Sequence, residues 1–320
     1  MATLEKSSIH AQQADWYHEG LVEEWQGKDY ILSGVLFTSA TAASDTVVIA
    51  GSGYTGVASL YPHLFAQALT RHGLDVLAIE YPGYGVSSGT GRGNASKVRL
   101  SEQVQTFIDT GEQVRHRGFG NGEKRWPHVV ALAWGMGAGH LIKAQKARPK
   151  LFDALIGLNG LYLSKEVQIA VRGGKEAYNA FLADLSVRGD QDLVNGFYGY
   201  PMDPATTERV TLDLRVNSAY RTPDVQVAFV RELLALNVLE EGVGLKGLED
   251  TPMLFGHGTD NPLHPVAPVR QVQAAYPGPS ELIEIQGARH NDFMRFTDDR
   301  FQALMASVAT WLREAERSKQ

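Results

Sequence analysis

Apolar and polar positions along the chain follow two rhythms in turn. Residues from about Tyr30 to Phe37 (YILSGVLF) alternate and then run apolar, and Thr46 to Ala50 (TVVIA) form a compact β-branched block ending at glycines. Both patterns predict strands, the second buried. The stretch SLYPHLFAQALTRHG repeats apolar residues at helical spacing and stops at Gly73, a predicted C-cap. DVLAIEYPGYG then reads as a strand entering a glycine-rich turn. Strand, helix, strand is the unit of a parallel sheet with right-handed crossovers.

The rhythm continues with a predicted helix over about Lys97 to Arg117, a dense strand from His128 to Trp134, and a helix in GHLIKAQKARP that ends before Pro149. Another strand is predicted from Ala154 to Asn159. Strands this continuously apolar imply helices on both sheet faces. From about Gly160 to Arg221 no convincing apolar strand occurs, and helical pieces are broken by VRGG, VRGD and YGYPMDP. That stretch reads as a lid. It carries Tyr162, Tyr178, Phe181, Phe197, Tyr198 and Tyr200, whose rings either line a roomy apolar pocket or glue lid helices to the core. After a predicted helix from about Val225 to Glu240, the core resumes with PMLFGHG, a helix around Val266 to Ala275, the strand ELIEIQG and a terminal helix from about Asp299 to Glu316. The expected division is an N-terminal extension over 1–27, a core over 28–159 and 222–320, and a helical lid over 160–221.

Composition narrows the function classes. At 320 residues the chain suits one large α/β domain with an inserted lid. Apolar residues are 43% and charged residues 21%, an ordinary globular balance. The net charge of -6 is spread along the chain, so no basic face is expected for nucleic acid. The absence of cysteine removes disulfides and thiolate chemistry. No secretory signal and no stretch of roughly 20 apolar residues is seen, so a cytoplasmic protein that does not enter membranes is expected. A small-molecule substrate is the expected partner, with a homodimer left open.

The candidate chemistry lies at predicted strand ends, where open parallel sheets gather their sites. Asp260, in FGHGTDNPLHP, follows one late strand, and His290, in QGARHNDF, follows the next. A carboxylate accepting a bond from one imidazole nitrogen would fix the tautomer and leave the other nitrogen as a general base. Histidines and aspartates after strands also cap helices and satisfy loops. His257 and His264 flank Asp260 without matching a metal-site spacing, so no metal is expected. No phosphate-binding or dinucleotide-binding glycine motif occurs, so no cofactor is expected either. Glu80 is expected to support nearby loops.

At the junction after HVVALAW the sequence reads Ala133-Trp134-Gly135-Met136-Gly137, with small residues around the centre of a tight strand-to-helix elbow. Glycine accommodates a strained backbone, but it has no side chain with which to attack. Residues 129 to 140 contain no Ser, Cys, Thr, Asp or Glu.

With the GSGYTG and EYPGYGVSSG loops, this ordered set resembles the α/β-hydrolase superfamily from about residue 28 to residue 316. The resemblance implies a mostly parallel central sheet flanked by helices, with a helical lid insertion. It also implies nucleophile, acid and base positions at Gly135, Asp260 and His290. The oxyanion hole would come from the Met136 amide with that of Gly53 or Tyr54, and Trp134 would join the lid rings in the substrate pocket. The first expectation is an enzyme acting on a bulky, mostly apolar ester, thioester or polyketide-like substrate by His290 and Asp260 without a serine nucleophile. Two alternatives stand beside it: a serine hydrolase whose nucleophile at position 135 was exchanged for glycine, and a binding protein without chemistry.

Overall fold

The computed structural model describes residues 20–39, 43–53, 61–82, 87, 99–119, 124–161, 169–170, 173–184, 244–262 and 264–317. Eight strands form one sheet: β1 Leu21–Gln26, β2 Ile31–Phe37, β3 Thr46–Gly51, β4 Asp75–Glu80, β5 His128–Trp134, β6 Ala154–Leu158, β7 Met253–Gly258 and β8 Ser280–Ile285. Their spatial order is β1-β2-β4-β3-β5-β6-β7-β8. β1 pairs antiparallel with β2, and β2 antiparallel with β4; every later pairing is parallel.

β1 corrects the expected boundary at residue 28. It lies inside the segment read as an extension, and its register with β2 runs from Leu21 opposite Leu36 to Gln26 opposite Ile31. Its sequence LVEEWQ buries only Trp25. The strand is held by its neighbour's backbone rather than by an apolar run of its own.

The helices of the core are α1 Tyr61–Leu69, α2 Leu100–Glu112, α3 Gly137–Ala147, α5 Val266–Ala275 and α6 Asp299–Arg317. α4, Lys175–Asp184, lies in the segment expected to form the lid. The remainder of that lid, residues 171–172 and 185–221 among it, and the helix expected over 225–240 lie outside the described residues.

The period of two along β5 builds both cores. Val129, Ala131 and Ala133 pack on one face with Phe107 of α2 and Leu141 of α3. Val130, Leu132 and Trp134 pack on the other with Phe65 of α1 and Phe301 and Leu312 of α6. Each valine, leucine or phenylalanine among them contributes about 1.5–3 kcal/mol on withdrawal from water, before entropy is counted. A sheet covered on both faces leaves its strand ends as the place where polar groups can gather.

Candidate active site

β5 stops at Trp134 and α3 starts at Gly137, leaving two residues to reverse the chain. Gly135 makes that turn with φ +57°, in the left-handed region that costs most other residues about 1–2 kcal/mol. Its N–H donates to Leu158 O at 2.7 Å, and its carbonyl accepts from Ala138 N at 3.2 Å. A Cβ built on Gly160 would fall 2.5–2.7 Å from the backbone atoms of Gly135. The elbow is therefore clamped from the β6 side by a residue that has no room for a side chain. Among the described residues, a Cβ on Gly135 itself would instead meet only His290, with Cε1 and Nε2 each at 3.8 Å. The structure thus brings together Gly135, expected at the nucleophile position, and the imidazole.

Met136 caps the N-terminus of α3, so the amides that lack intrahelical acceptors, and the partial positive charge of the helix, collect at the elbow. Gly53 lies alongside: its Cβ position is 3.5 Å from Trp134 O. Tyr54 lies outside the described residues.

His290 is buried, with Trp134 and His264 against its ring at centroid distances of 5.4 Å and 5.3 Å. Burial holds its pKa well below the ordinary histidine value, the nearby His264 and His257 adding to the effect. The ring is neutral at physiological pH. Its backbone is anchored from across the sheet. Asn159 follows β6 in a left-handed conformation, φ +56°. Its Nδ2 donates to Arg289 O at 3.2 Å and His290 O at 2.5 Å, while its Oδ1 accepts from Gly258 N at 2.8 Å. One buried amide ties the ends of β6 and β7 to the histidine loop. Only the polar end of ALIGLN hints at it in the sequence.

Asp260 does not join this group. Its side chain is exposed, Oδ1 accepts from Thr259 Oγ1 at 3.0 Å, and its N–H donates to Ala288 O at 3.0 Å. The partner of the His290 Nδ1 is the Nδ2 of Asn261, at 3.1 Å. The turn after β7, closed by Asn261 N donating to Gly258 O at 3.3 Å, directs residue 261 inward and residue 260 to solvent. The expected Asp260–His290 pair is thus replaced by an amide–imidazole pair, which lacks the charge that would stabilise an imidazolium.

Other expected residues divide plainly. Trp134 is buried and stacks on Tyr61 at 5.1 Å, so its ring belongs to the wall behind His290. Tyr178 in α4 is buried. Tyr162, Phe197, Tyr198 and Tyr200 lie outside the described residues, as does the side chain of Phe181. His257 donates from Nε2 to His264 O at 2.6 Å, and no cluster of metal-ligating side chains occurs among the described residues. Glu80 Oε2 accepts from Ser33 Oγ at 3.2 Å, and its carbonyl accepts from Ser87 Oγ at 3.0 Å. These bonds are consistent with the loop-supporting role expected for Glu80.

Residues 42–294 match the family model of the S33 serine aminopeptidases, a span that takes in the elbow, Asn261 and His290. The chain belongs to that family. It is an α/β-hydrolase-fold enzyme, with glycine at position 135 and the Asn261 amide against the His290 imidazole. Solved α/β-hydrolase structures share its fold. DcsB in complex with its substrate analogue is 14% identical, with a TM-score of 0.67 over 92% of this chain and 99% of that one. A soluble variant of monoglyceride lipase from Saccharomyces cerevisiae, bound to a substrate analogue, is 17% identical with a TM-score of 0.66, covering 92% and 96%. Est1E from Butyrivibrio proteoclasticus with ferulic acid is 15% identical with a TM-score of 0.61, covering 92% and 99%. No curated protein matches the sequence. No helix among the described residues is long and apolar enough to cross a membrane.

Proposed function

We propose that this S33-family protein is an enzyme that acts on the carbonyl of a bulky, mostly apolar acyl compound, an ester, thioester or polyketide-like chain, without forming an acyl-enzyme. The observation that carries the reading is the 3.8 Å between His290 Nε2 and the Cβ position of Gly135. A substrate atom over that glycine meets the imidazole directly. The amides at the start of α3 and the Gly53 loop supply donors for a developing oxyanion, typically worth about 2.7–4 kcal/mol each. Donors and binding alone sustain roughly 10³- to 10⁴-fold acceleration over water in a hydrolase that lacks a triad member. An apolar acyl group is favoured because two solved relatives in fold hold a substrate analogue of a monoglyceride lipase and ferulic acid.

Asn261 favours this reading over that of a hydrolase with an exchanged serine. Returning a hydroxyl to position 135 would place it beside an imidazole whose Nδ1 faces an amide N–H₂ group rather than a carboxylate. The test is turnover of a panel of aryl esters and acyl thioesters, read by mass spectrometry of product and of intact protein. Turnover with no acylated protein, abolished by His290→Ala, supports the proposal. Undiminished turnover in His290→Ala, or an acyl adduct on the protein, overturns it.

A further inference from the structure

We propose that Asn261 is a positioning residue that sets the tautomer of His290, keeping the ring proton on Nε2, so that the imidazole meets a substrate oxygen over Gly135 as a hydrogen-bond donor. The inference deepens the proposed function and rests on it for the identity of the acceptor, a carbonyl or enolate oxygen.

The orientation of the Asn261 amide follows from two further bonds. Oδ1 accepts from His264 N at 3.1 Å, and Nδ2 donates to Asn159 O at 3.3 Å. Rotating the amide by half a turn would set an oxygen against the Asn159 carbonyl and an N–H₂ group against the His264 N–H. With the amide fixed, Nδ2 is also the atom 3.1 Å from His290 Nδ1. A proton on Nδ1 would put two donors face to face in a buried site, and the Asn159 carbonyl that faces the ring already accepts from Asn261 Nδ2; the cost of crowded, poorly paired buried donors opposes that tautomer. Nδ1 is therefore the acceptor, and in a neutral ring the proton then sits on Nε2. Asn261 and His290 are both buried, and burial keeps the ring neutral, so water does not rescramble the arrangement.

Nε2 is the nitrogen aimed at the elbow, with the Gly135 Cβ position 3.8 Å away. A donor there complements the α3 amides: both strengthen their bonds as negative charge gathers on one oxygen. An imidazole in this state cannot take a proton at Nε2. The general-base role expected from an aspartate-paired histidine belongs to the opposite tautomer.

The test is a long-range ¹H–¹⁵N correlation spectrum of histidine-labelled full-length protein without substrate, with the His290 signals assigned by their loss in His290→Gln. A pyrrole-type Nε2 and a pyridine-type Nδ1 are expected, and Asn261→Asp is expected to exchange the two. A wild-type protein protonated on Nδ1 overturns the inference, and so does an Asn261→Asp protein with an unaltered pattern. If that variant does not fold, the wild-type spectrum alone decides. The spectrum needs no turnover, so its outcome is separate from that of the His290→Ala assay.

Discussion

The Nδ2 of Asn261 lies 3.1 Å from the Nδ1 of His290, while Asp260, its neighbour in sequence, turns its carboxylate to solvent and to Thr259. A glycine and an asparagine therefore lie on the two sides of the same imidazole. They are mutually consistent: position 135 offers the ring no hydroxyl to deprotonate, and an amide partner supplies no charge to hold a second proton on it. Their pairing makes the consequences of restoring each residue distinct.

Gly135→Ser alone is expected to give no burst of acyl-enzyme with aryl esters, because the imidazole would donate to the new hydroxyl instead of accepting its proton. Gly135→Ser combined with Asn261→Asp is expected to acylate faster by up to about 10⁴-fold, the order of loss seen when the aspartate of a working triad becomes asparagine. Among the described residues a Cβ at 135 makes only ordinary contacts at 3.8 Å, so the cost of the serine is the left-handed backbone at φ +57°. Stopped-flow burst amplitudes check this. An active single variant would show that Asn261 does not control the ring.

How far the sequence discloses this site depends on the kind of signal each residue leaves. β5 and the elbow are legible because a strand buried on both faces must be continuously apolar, and a tight turn after it must be small. β1 is not, because an edge strand that buries only Trp25 can be polar and still pair. The confusion of Asp260 with Asn261 has a different source. Both are polar residues in one turn, and the Asn261 N–H to Gly258 O closure decides which points inward. Charge alone points to Asp260, and backbone geometry gives the place to its neighbour.

Asn159 is expected to be worth more than its size. Asn159→Gly keeps the left-handed backbone at φ +56° but strips the bonds to Arg289 O, His290 O and Gly258 N. A loss of about 2–4 kcal/mol in urea unfolding is expected, from buried groups left unpaired. A change within about 0.5 kcal/mol would mean that the histidine loop is held by other contacts.

Gly160→Ala should disturb the elbow itself, since the added Cβ falls 2.5–2.7 Å from Gly135. Overpacking of this kind costs about 1–3 kcal/mol. Paired measurements of urea midpoint and of turnover are expected to show both falling. Retention of both would show that the β6 end yields without consequence.

Three buried imidazoles make stability depend on pH. Burial, with Lys143 adding to it, lowers His140 to about 3. Burial lowers His257 to about 4, against the His264 carbonyl and Glu284, which raise it. His290 is also held well below its ordinary value, by burial and by His264 and His257. Each binds its proton more readily in the unfolded chain, so stability is full above about pH 6.5 and falls as pH drops below it. Between pH 7.5 and 5 the loss is expected to approach about 2 kcal/mol each for His140 and His257, with His290 acting in the same direction. Urea unfolding at pH 7.5, 6 and 5 checks this. A flat profile would place these rings in contact with water.

The most direct measurement is a crystal structure of the protein with an uncleaved acyl thioester analogue. The carbonyl oxygen is expected over Gly135, within hydrogen-bonding distance of both the Met136 N–H and the His290 Nε2, with no covalent bond to the protein. A carbonyl bound away from Gly135, or an acyl group attached to any side chain, would contradict the account.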